Sequence, residues 1–300
     1  DEVAEIVFAT TSENDIAYSW SIDTEIGTQS LTGVGNIPLF EADNDTNDPI
    51  VAIVTVTPSN DETDPSLTCE GTLIVFTITV NPNQEMNDPD DIVVCNGGFI
   101  EETIFSSTNT QGTTTYNWSI DTAIGLDPLT GEGNLPEFAA INGTNDPIVA
   151  IVTVTPTFTN VGVDCSPPIE TFTITVNPTA QVDLVDSLDL CNGDTAVVDF
   201  TTSNGGVDSV TTYSWEITDG DSVFASAALT GAGNINLPVI NETNADLVAT
   251  ITVTPTYTND GVDCTGPSEE FTITVSPTAQ VEQVDDIVVC NGDEVAEIVF

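Results

Sequence analysis

The sequence predicts an all-β chain of β-sandwich domains in series, on three observations. Its apolar stretches are built from Val and Ile with Thr between them, and with Tyr, Phe and Trp, the residues that suit a pleated, half-buried surface. Apolar and polar residues alternate with the two-residue period of a strand, and no segment keeps a helical period for more than a turn. One ordered set of phrases returns three times, which marks a repeat architecture.

The phrases come in fixed order. Tyr-x-Trp stands at Tyr18–Trp20, Tyr116–Trp118 and Tyr213–Trp215. Leu-Thr-Gly-x-Gly-Asn follows at Leu31–Asn36, Leu129–Asn134 and Leu229–Asn234. Pro49–Pro58 is repeated letter for letter at Pro147–Pro156 and loosely at Asp246–Pro255. Phe76–Pro82 returns as Phe172–Pro178 and Phe271–Pro277, and Cys-Asn-Gly stands at Cys95, Cys191 and Cys290. Matching landmarks lie 96 to 100 residues apart, so the expected domains are 1–82, 83–178 and 179–277. The first lacks its opening strand, and 278–300 supply the first two strands of a further repeat. Residues 1–8 are identical to 293–300, an offset of 292, so the expectation is a window from a longer chain of such triplets.

In the middle unit, Asp91–Val94 and Glu101–Phe105 read as strands on either side of an Asn-Gly turn, a strong hairpin signal. Tyr116, Trp118 and Ile120 share one face of the next strand. Ile148–Thr155 is apolar enough for a central strand, and Phe172, Ile174 and Val176 alternate with threonines until Pro178 ends the run. About seven short strands per hundred residues is the sandwich pattern, with Trp20, Trp118 and Trp215 expected in the cores.

Composition excludes more than it suggests. There is no Lys, Arg or His against 49 Asp and Glu, a net charge of −49. Side-chain salt bridges, Arg clamps, Ser-His or Cys-His pairs and Schiff-base lysines cannot be built. A nucleic-acid partner and direct attachment to an anionic membrane are excluded on charge. No apolar run reaches 18 residues, so no membrane insertion is expected. The expectation is a protein that is not an enzyme and needs no organic cofactor.

The phrases Val-Cys-Asn-Gly, Tyr-x-Trp-x-Ile, Leu-Thr-Gly-x-Gly-Asn, Ile-Thr-Val-Thr-Pro-Thr and Phe-Thr-Ile-Thr-Val-Asn-Pro resemble the PKD-like, immunoglobulin-type repeats of giant Bacteroidota surface adhesins, including those of gliding motility. The resemblance implies tandem immunoglobulin-like sandwiches, secretion by the type IX system and a place on the cell surface. It implies a rigid stalk or filament. The alternatives are glycan- or protein-binding repeats acting by avidity, and a fibre of separate subunits joined by strand exchange. Expected partners are neighbouring repeats, like filaments, surface polysaccharide and other cells.

Six Cys, two per unit, suit disulfides in an oxidising compartment. Two pairings fit the repeat. Cys95–Cys165 and Cys191–Cys264 would each staple one sandwich across a loop of 70 or 73 residues, leaving Cys69 and Cys290 to pair outside the 300 residues. Cys69–Cys95, Cys165–Cys191 and Cys264–Cys290 would join neighbours instead. The first is preferred, because it ties the first strand to the last and stabilises by about 4 kcal/mol in the chain-entropy model. Asp43, Asp45, Asp48, Asp88, Asp90 and Asp91 form oxygen-rich clusters of the kind Ca²⁺ takes, against the simpler reading of a solvated, salt-adapted surface. Asn44, Asn117, Asn142 and Asn241 head Asn-x-Ser/Thr triplets without evident use. Thr122, Ser187, Thr195, Ser209 and Ser222 match a short O-glycosylation pattern associated with Bacteroidota surface proteins.

Overall fold

The computed structural model describes residues 2–9, 16–60, 70–82, 86–225 and 229–299. The chain is all-β. The first repeat contributes β1 (Glu2–Val3), β2 (Ile16–Ile22), β3 (Thr32–Val34), β4 (Phe40–Glu41), β5 (Ile50–Asn60) and β6 (Ile74–Val80). The second contributes β7 (Ile92–Cys95), β8 (Phe99–Ile100), β9 (Thr113–Ile120), β10 (Thr130–Glu132), β11 (Phe138–Ala139), β12 (Ile148–Asn160), β13 (Val163–Cys165) and β14 (Glu170–Asn177). The third contributes β15 (Leu188–Cys191), β16 (Thr195–Val198), β17 (Val210–Asp219), β18 (Thr230–Ala232), β19 (Ile235–Pro238), β20 (Leu247–Asn259), β21 (Val262–Thr265) and β22 (Glu269–Ser276), with one 3₁₀ turn at Asp221–Val223.

Two compact units divide the chain: Asp1–Ile92 with Phe99–Ala139 and Val149–Ile174, and Val93–Gly98 with Ala140–Ile148 and Thr175–Phe300. The Cys-Asn-Gly turn and the final residues of the second repeat thus belong to the same unit as the whole third repeat.

The third repeat shows the architecture most fully. One sheet runs β15-β22-β20-β17-β18, with β21 also on β20, and the facing pair is β16-β19. β15 lies parallel to β22, with Leu188 opposite Ile273 and Cys191 opposite Ser276. β15 and β16 therefore sit in different sheets, and the Cys-Asn-Gly turn between them crosses the sandwich. The hairpin expected at this turn does not form. Its strands pair elsewhere because each carries one apolar face that only opposite layers of the sandwich can bury. Alternation does the rest. Ala249, Ile251 and Val253 of β20 and Phe271, Ile273 and Val275 of β22 meet Trp215, Ala196, Val198 and Ile235 in one core. Each fully buried aliphatic side chain there stabilises by roughly 1.5–3 kcal/mol.

In the first unit, the sheet β3-β2-β5-β6 buries Trp20, Ile22, Ala52, Val54 and Val56 together with Ile26, Ile37 and Phe40. Among the described residues β6 is its edge strand, where β22 of the third repeat has β15 beside it. Residues 278–299 hold no strand. Asp286–Cys290 repeats the Asp91–Cys95 sequence, but β7 and β15 each lie on the last strand of their own repeat, β14 and β22, and among the described residues no strand lies beside Asp286–Cys290. Only the turn survives: Asp293 N–H donates to Cys290 C=O at 3.1 Å, and Cys290 N–H to Asp293 Oδ2 at 3.0 Å.

The Leu-Thr-Gly-x-Gly-Asn phrase has a complete structural account. Its first glycine lies flat on the tryptophan of the neighbouring strand: a Cβ at Gly131 would stand 2.3 Å from Trp118 Cζ2, and Gly33 and Gly231 sit likewise on Trp20 and Trp215. The second glycine turns the chain at positive φ, +77° at Gly133. The asparagine then ties the loop down: Asn134 Oδ1 accepts from Phe105 N–H at 3.2 Å and Nδ2 donates to Glu102 at 2.9 Å. Trp20, Trp118 and Trp215 are all buried.

Candidate functional site at the repeat junction

The chemistry of this chain collects where one repeat meets the next, and the second unit shows it whole. β20 outlasts its pairing with β22, which ends at Val253 opposite Glu269. Beyond that point β21 takes over, placing Cys264 opposite Tyr257. The turn closes on Asp260 and Gly261, both at positive φ (48° and 75°), the geometry of a two-residue hairpin. The tip of this arm meets the Cys-Asn-Gly turn of the second repeat.

There Cys95 and Cys264 form a disulfide, Cα to Cα 5.5 Å, across 169 positions of sequence. This corrects both preferred bridges, Cys95–Cys165 and Cys191–Cys264, and the neighbouring set as well. The reason is register. Cys191 stands level with Ser276, next to the Val275 that faces Leu247, whereas Cys264 faces Tyr257. Ten residues of β20 separate those levels, roughly 34 Å at strand rise, and a disulfide tolerates no more than about 7 Å between Cα atoms. The two cysteines of one repeat lie at opposite ends of its sandwich. Cys165, Cys191 and Cys290 are free thiols, and Cys69 lies outside the described residues.

Around the bridge is a small core of its own. Cys264, Tyr257 and Ala180 are buried, with Cys95 and Val262 packed against them. Tyr257 Oη donates to Gly205 C=O at 2.9 Å. A Cβ at Gly266 would stand 1.9 Å from Ala180 C=O, so the arm passes too close for any side chain there.

In a chain without cationic side chains, asparagine supplies the side-chain N–H donors of this junction. Asn259 Nδ2 donates to Asn177 Oδ1 at 2.9 Å, joining the arm of the third repeat to the end of the second. Asn96 N–H donates to Asn177 C=O and Gly97 N–H to Ala140 C=O, both at 2.8 Å. Asn142 N–H donates to Asn96 Oδ1 at 2.8 Å. The Asn142 amide is buried and donates twice, to Asp146 C=O at 2.8 Å and Val176 C=O at 2.7 Å. Its Oδ1 accepts from Thr144 N–H and Oγ1. Asn241 repeats the arrangement with Ala245, Val275 and Thr243, and Asn44 with Asp48, Val80 and Thr46. Three of the four Asn-x-Ser/Thr triplets are therefore structural knots. Sequence reasoning passed over them, although their spacings of 98 and 99 residues keep the repeat register; Asn117 does not recur and is exposed.

The other expected sites do not converge. Among the described residues no group of three or more Asp, Glu, Cys or His side chains is placed to hold a metal ion. Asp48 Oδ1 instead accepts from Thr110 Oγ1 at 2.6 Å, and Asp91 Oδ1 from Thr173 N–H at 2.6 Å, which holds the Asp91 carboxyl below its ordinary pKa. Asp43, Asp45, Asp88 and Asp90 are exposed. Thr195, Ser187 and Ser222 are exposed and Thr122 is half-exposed; Ser209 is half-buried, with Oγ donating to Gly206 C=O at 3.1 Å. No helix among the described residues is long and apolar enough to cross a membrane.

No protein-family model and no curated protein matches the chain. Among solved structures it is similar to three N-terminal domains of the highly immunogenic outer capsid protein of bacteriophage RB49, with 11% identity, 91% of this chain and 92% of that one covered, and a TM-score of 0.40. It is also similar to extracellular repeats EC1–3 of mouse protocadherin-24, with 12% identity, coverage of 90% and 93%, and a TM-score of 0.34.

Proposed function

We propose that this chain is a structural segment of an extracellular stalk or filament, one stretch of a very long, repetitive cell-surface protein. The observation that carries this reading is the clasp of Cys95–Cys264 with Asn177–Asn259, because the most specific chemistry in the chain is spent on holding one repeat to the next. A disulfide between repeats also suits an oxidising, extracellular setting. The sequence resemblance to Bacteroidota gliding-motility adhesins supports the finer reading of type IX export and a place on the cell surface. Solution scattering of the purified chain tests the proposal. A stiff rod that becomes more flexible on reduction supports it, and freely jointed beads in oxidising buffer overturn it.

A second reading, adhesion by many weak contacts, is favoured by one feature. Val51 and Ile53 on the outer face of β5 are 52% and 43% exposed, and Val149 and Ile151 on β12 are 52% and 44% exposed. Such a recurring aliphatic patch suits a protein partner or a like filament. Glycan arrays and pull-down with whole cells, comparing the native chain with Ile53→Asn and Ile151→Asn, separate this reading from a pure spacer.

A further inference from the structure

The first unit carries a groove of about 490 Å³ at the place where the second unit has its clasp. Its walls include Asn44, Val80, Asn81, Val163, Asp164 and Cys165. Each matches a clasp residue of the second unit by position in the repeat: Asn142, Val176, Asn177, Val262, Asp263 and Cys264. The arm is already joined to the first repeat, Asn160 Nδ2 donating to Asn81 Oδ1 at 2.8 Å as Asn259 does to Asn177. In the second unit the matching space is taken by Cys95-Asn96-Gly97, with Cys95 bonded to the arm cysteine.

We infer that this groove, with the free edge of β6, binds residues 285–292 of a second copy of this sequence set head to tail, and that Cys165 forms a disulfide with its Cys290. The occupant is specified by sequence. Residues 285–292 read Asp-Asp-Ile-Val-Val-Cys-Asn-Gly, identical to 90–97, the stretch that contains β7 and the bonded turn. The octapeptide that follows Gly292 is identical to residues 1–8, and Val3 of that octapeptide lines the groove. The parallel register of β15 on β22 then places Ile287 opposite Ile78 and Cys290 opposite Asn81. Pairing covers the β6 edge from Phe76 to Val80, with Thr77 and Thr79 exposed, which is otherwise open to uncontrolled strand addition. The Cys290 turn already has the closed form of the Cys191 turn, where Cys191 N–H donates to Asp194 Oδ2 at 2.8 Å. Closing the bridge removes one proton from each thiol and two electrons from the pair. A disulfide of a thiol–disulfide exchange partner, such as oxidised glutathione, takes them and leaves as two thiols. The inference deepens the filament reading and rests on it for its purpose, though not for its chemistry.

The test uses the full chain with a synthetic peptide of sequence 285–292 in a glutathione redox buffer, followed by non-reducing peptide mapping. The peptide is expected on Cys165 at least ten-fold more than on the exposed Cys191, and a scrambled peptide of the same composition is expected to show no preference. Equal labelling of both cysteines by both peptides overturns the inference. If that happens while the chain still scatters as a stiff rod, the groove assignment fails and the filament reading stands. On native material, a Cys165–Cys290 cross-link between copies that reduction separates on a denaturing gel identifies separate polypeptides. A cross-link within one undivided chain identifies a copy in the same polypeptide, and Cys165 found as a free thiol overturns the inference.

Discussion

Cys95 is bonded to Cys264, so the turn that opens one sandwich is held by the arm that closes the next. Non-reducing peptide mapping should return this pair. Cys264→Ser removes the cross-link and puts a hydroxyl at a site 2% exposed. We expect a loss of about 3–5 kcal/mol from the clasp. Hydrogen exchange should quicken at residues 93–98 and 257–265 while the Trp215 core stays protected. Recovery of Cys95 joined to Cys165 would contradict the structure.

The buried asparagine knots should be intolerant of charge. Asn241→Asp replaces two N–H donors with a carboxylate facing Ala245 C=O and Val275 C=O. It should cost about 2–4 kcal/mol at neutral pH. Asn117→Asp, at an exposed position of β9, should stay within about 0.5 kcal/mol of the parent. Urea unfolding of both variants gives the comparison, and an equal cost at the two sites would argue against the knot.

The glycine on the tryptophan ring leaves no room for a methyl group. Gly131→Ala should cost about 1–3 kcal/mol through displacement of Trp118 and should alter tryptophan fluorescence. Gly133→Ala, two residues on at φ +77°, should cost about 1 kcal/mol and leave the fluorescence unchanged.

Charge of one sign only makes the salt response simple. With 49 acidic residues and no cationic side chain, added NaCl can screen repulsion but has no side-chain ion pair to weaken. The melting temperature should rise steadily as NaCl is raised from about 0.01 M, where the Debye length is about 30 Å, to the ~0.15 M at which it is about 8 Å. At matched ionic strength, chelation of calcium should leave it unchanged, since the described residues gather no ligand cluster. A drop in melting temperature on chelation would reveal a cation site.

Asp91 gives a sign-defined acid response. The N–H of Thr173 lowers its folded pKa below the ordinary 3.8. The stability it contributes is therefore present above that value and is lost as pH falls through the lower folded pKa. Asp91→Asn should be less stable than the parent near neutral pH, with the difference shrinking as the pH falls below the ordinary carboxylate range. A constant difference throughout would exclude the linkage.

The fold was legible where the physics is local. Alternation in Tyr116-Asn117-Trp118-Ser119-Ile120 and the Pro at 178 specify strands and a stop without any long-range information. The clasp was not legible, because in a periodic chain separations of 26, 70 and 169 residues all join the same two kinds of cysteine. Only the sheet register, with Cys191 level with Ser276 and Cys264 opposite Tyr257, tells which cysteines share an end of the sandwich. The Cys-Asn-Gly turn misled for a related reason: Asn-Gly fixes a tight reversal, but which sheets its flanks join is decided by burial elsewhere. Asn142 reads in sequence only as the head of a modification triplet, because its role depends on Val176, 34 residues away.

A bridge spanning 169 positions also decides what happens under tension. Pulled from its two ends, a plain string of sandwiches gives way one domain at a time, each adding its unravelled length. Here the pull passes through two sulfur atoms and bypasses everything between Cys95 and Cys264. At ~3.4 Å per extended residue, that withholds roughly 570 Å of slack. The two sandwiches so bracketed can melt without lengthening the path from Cys95 to Cys264, which makes that stretch a tether of fixed reach.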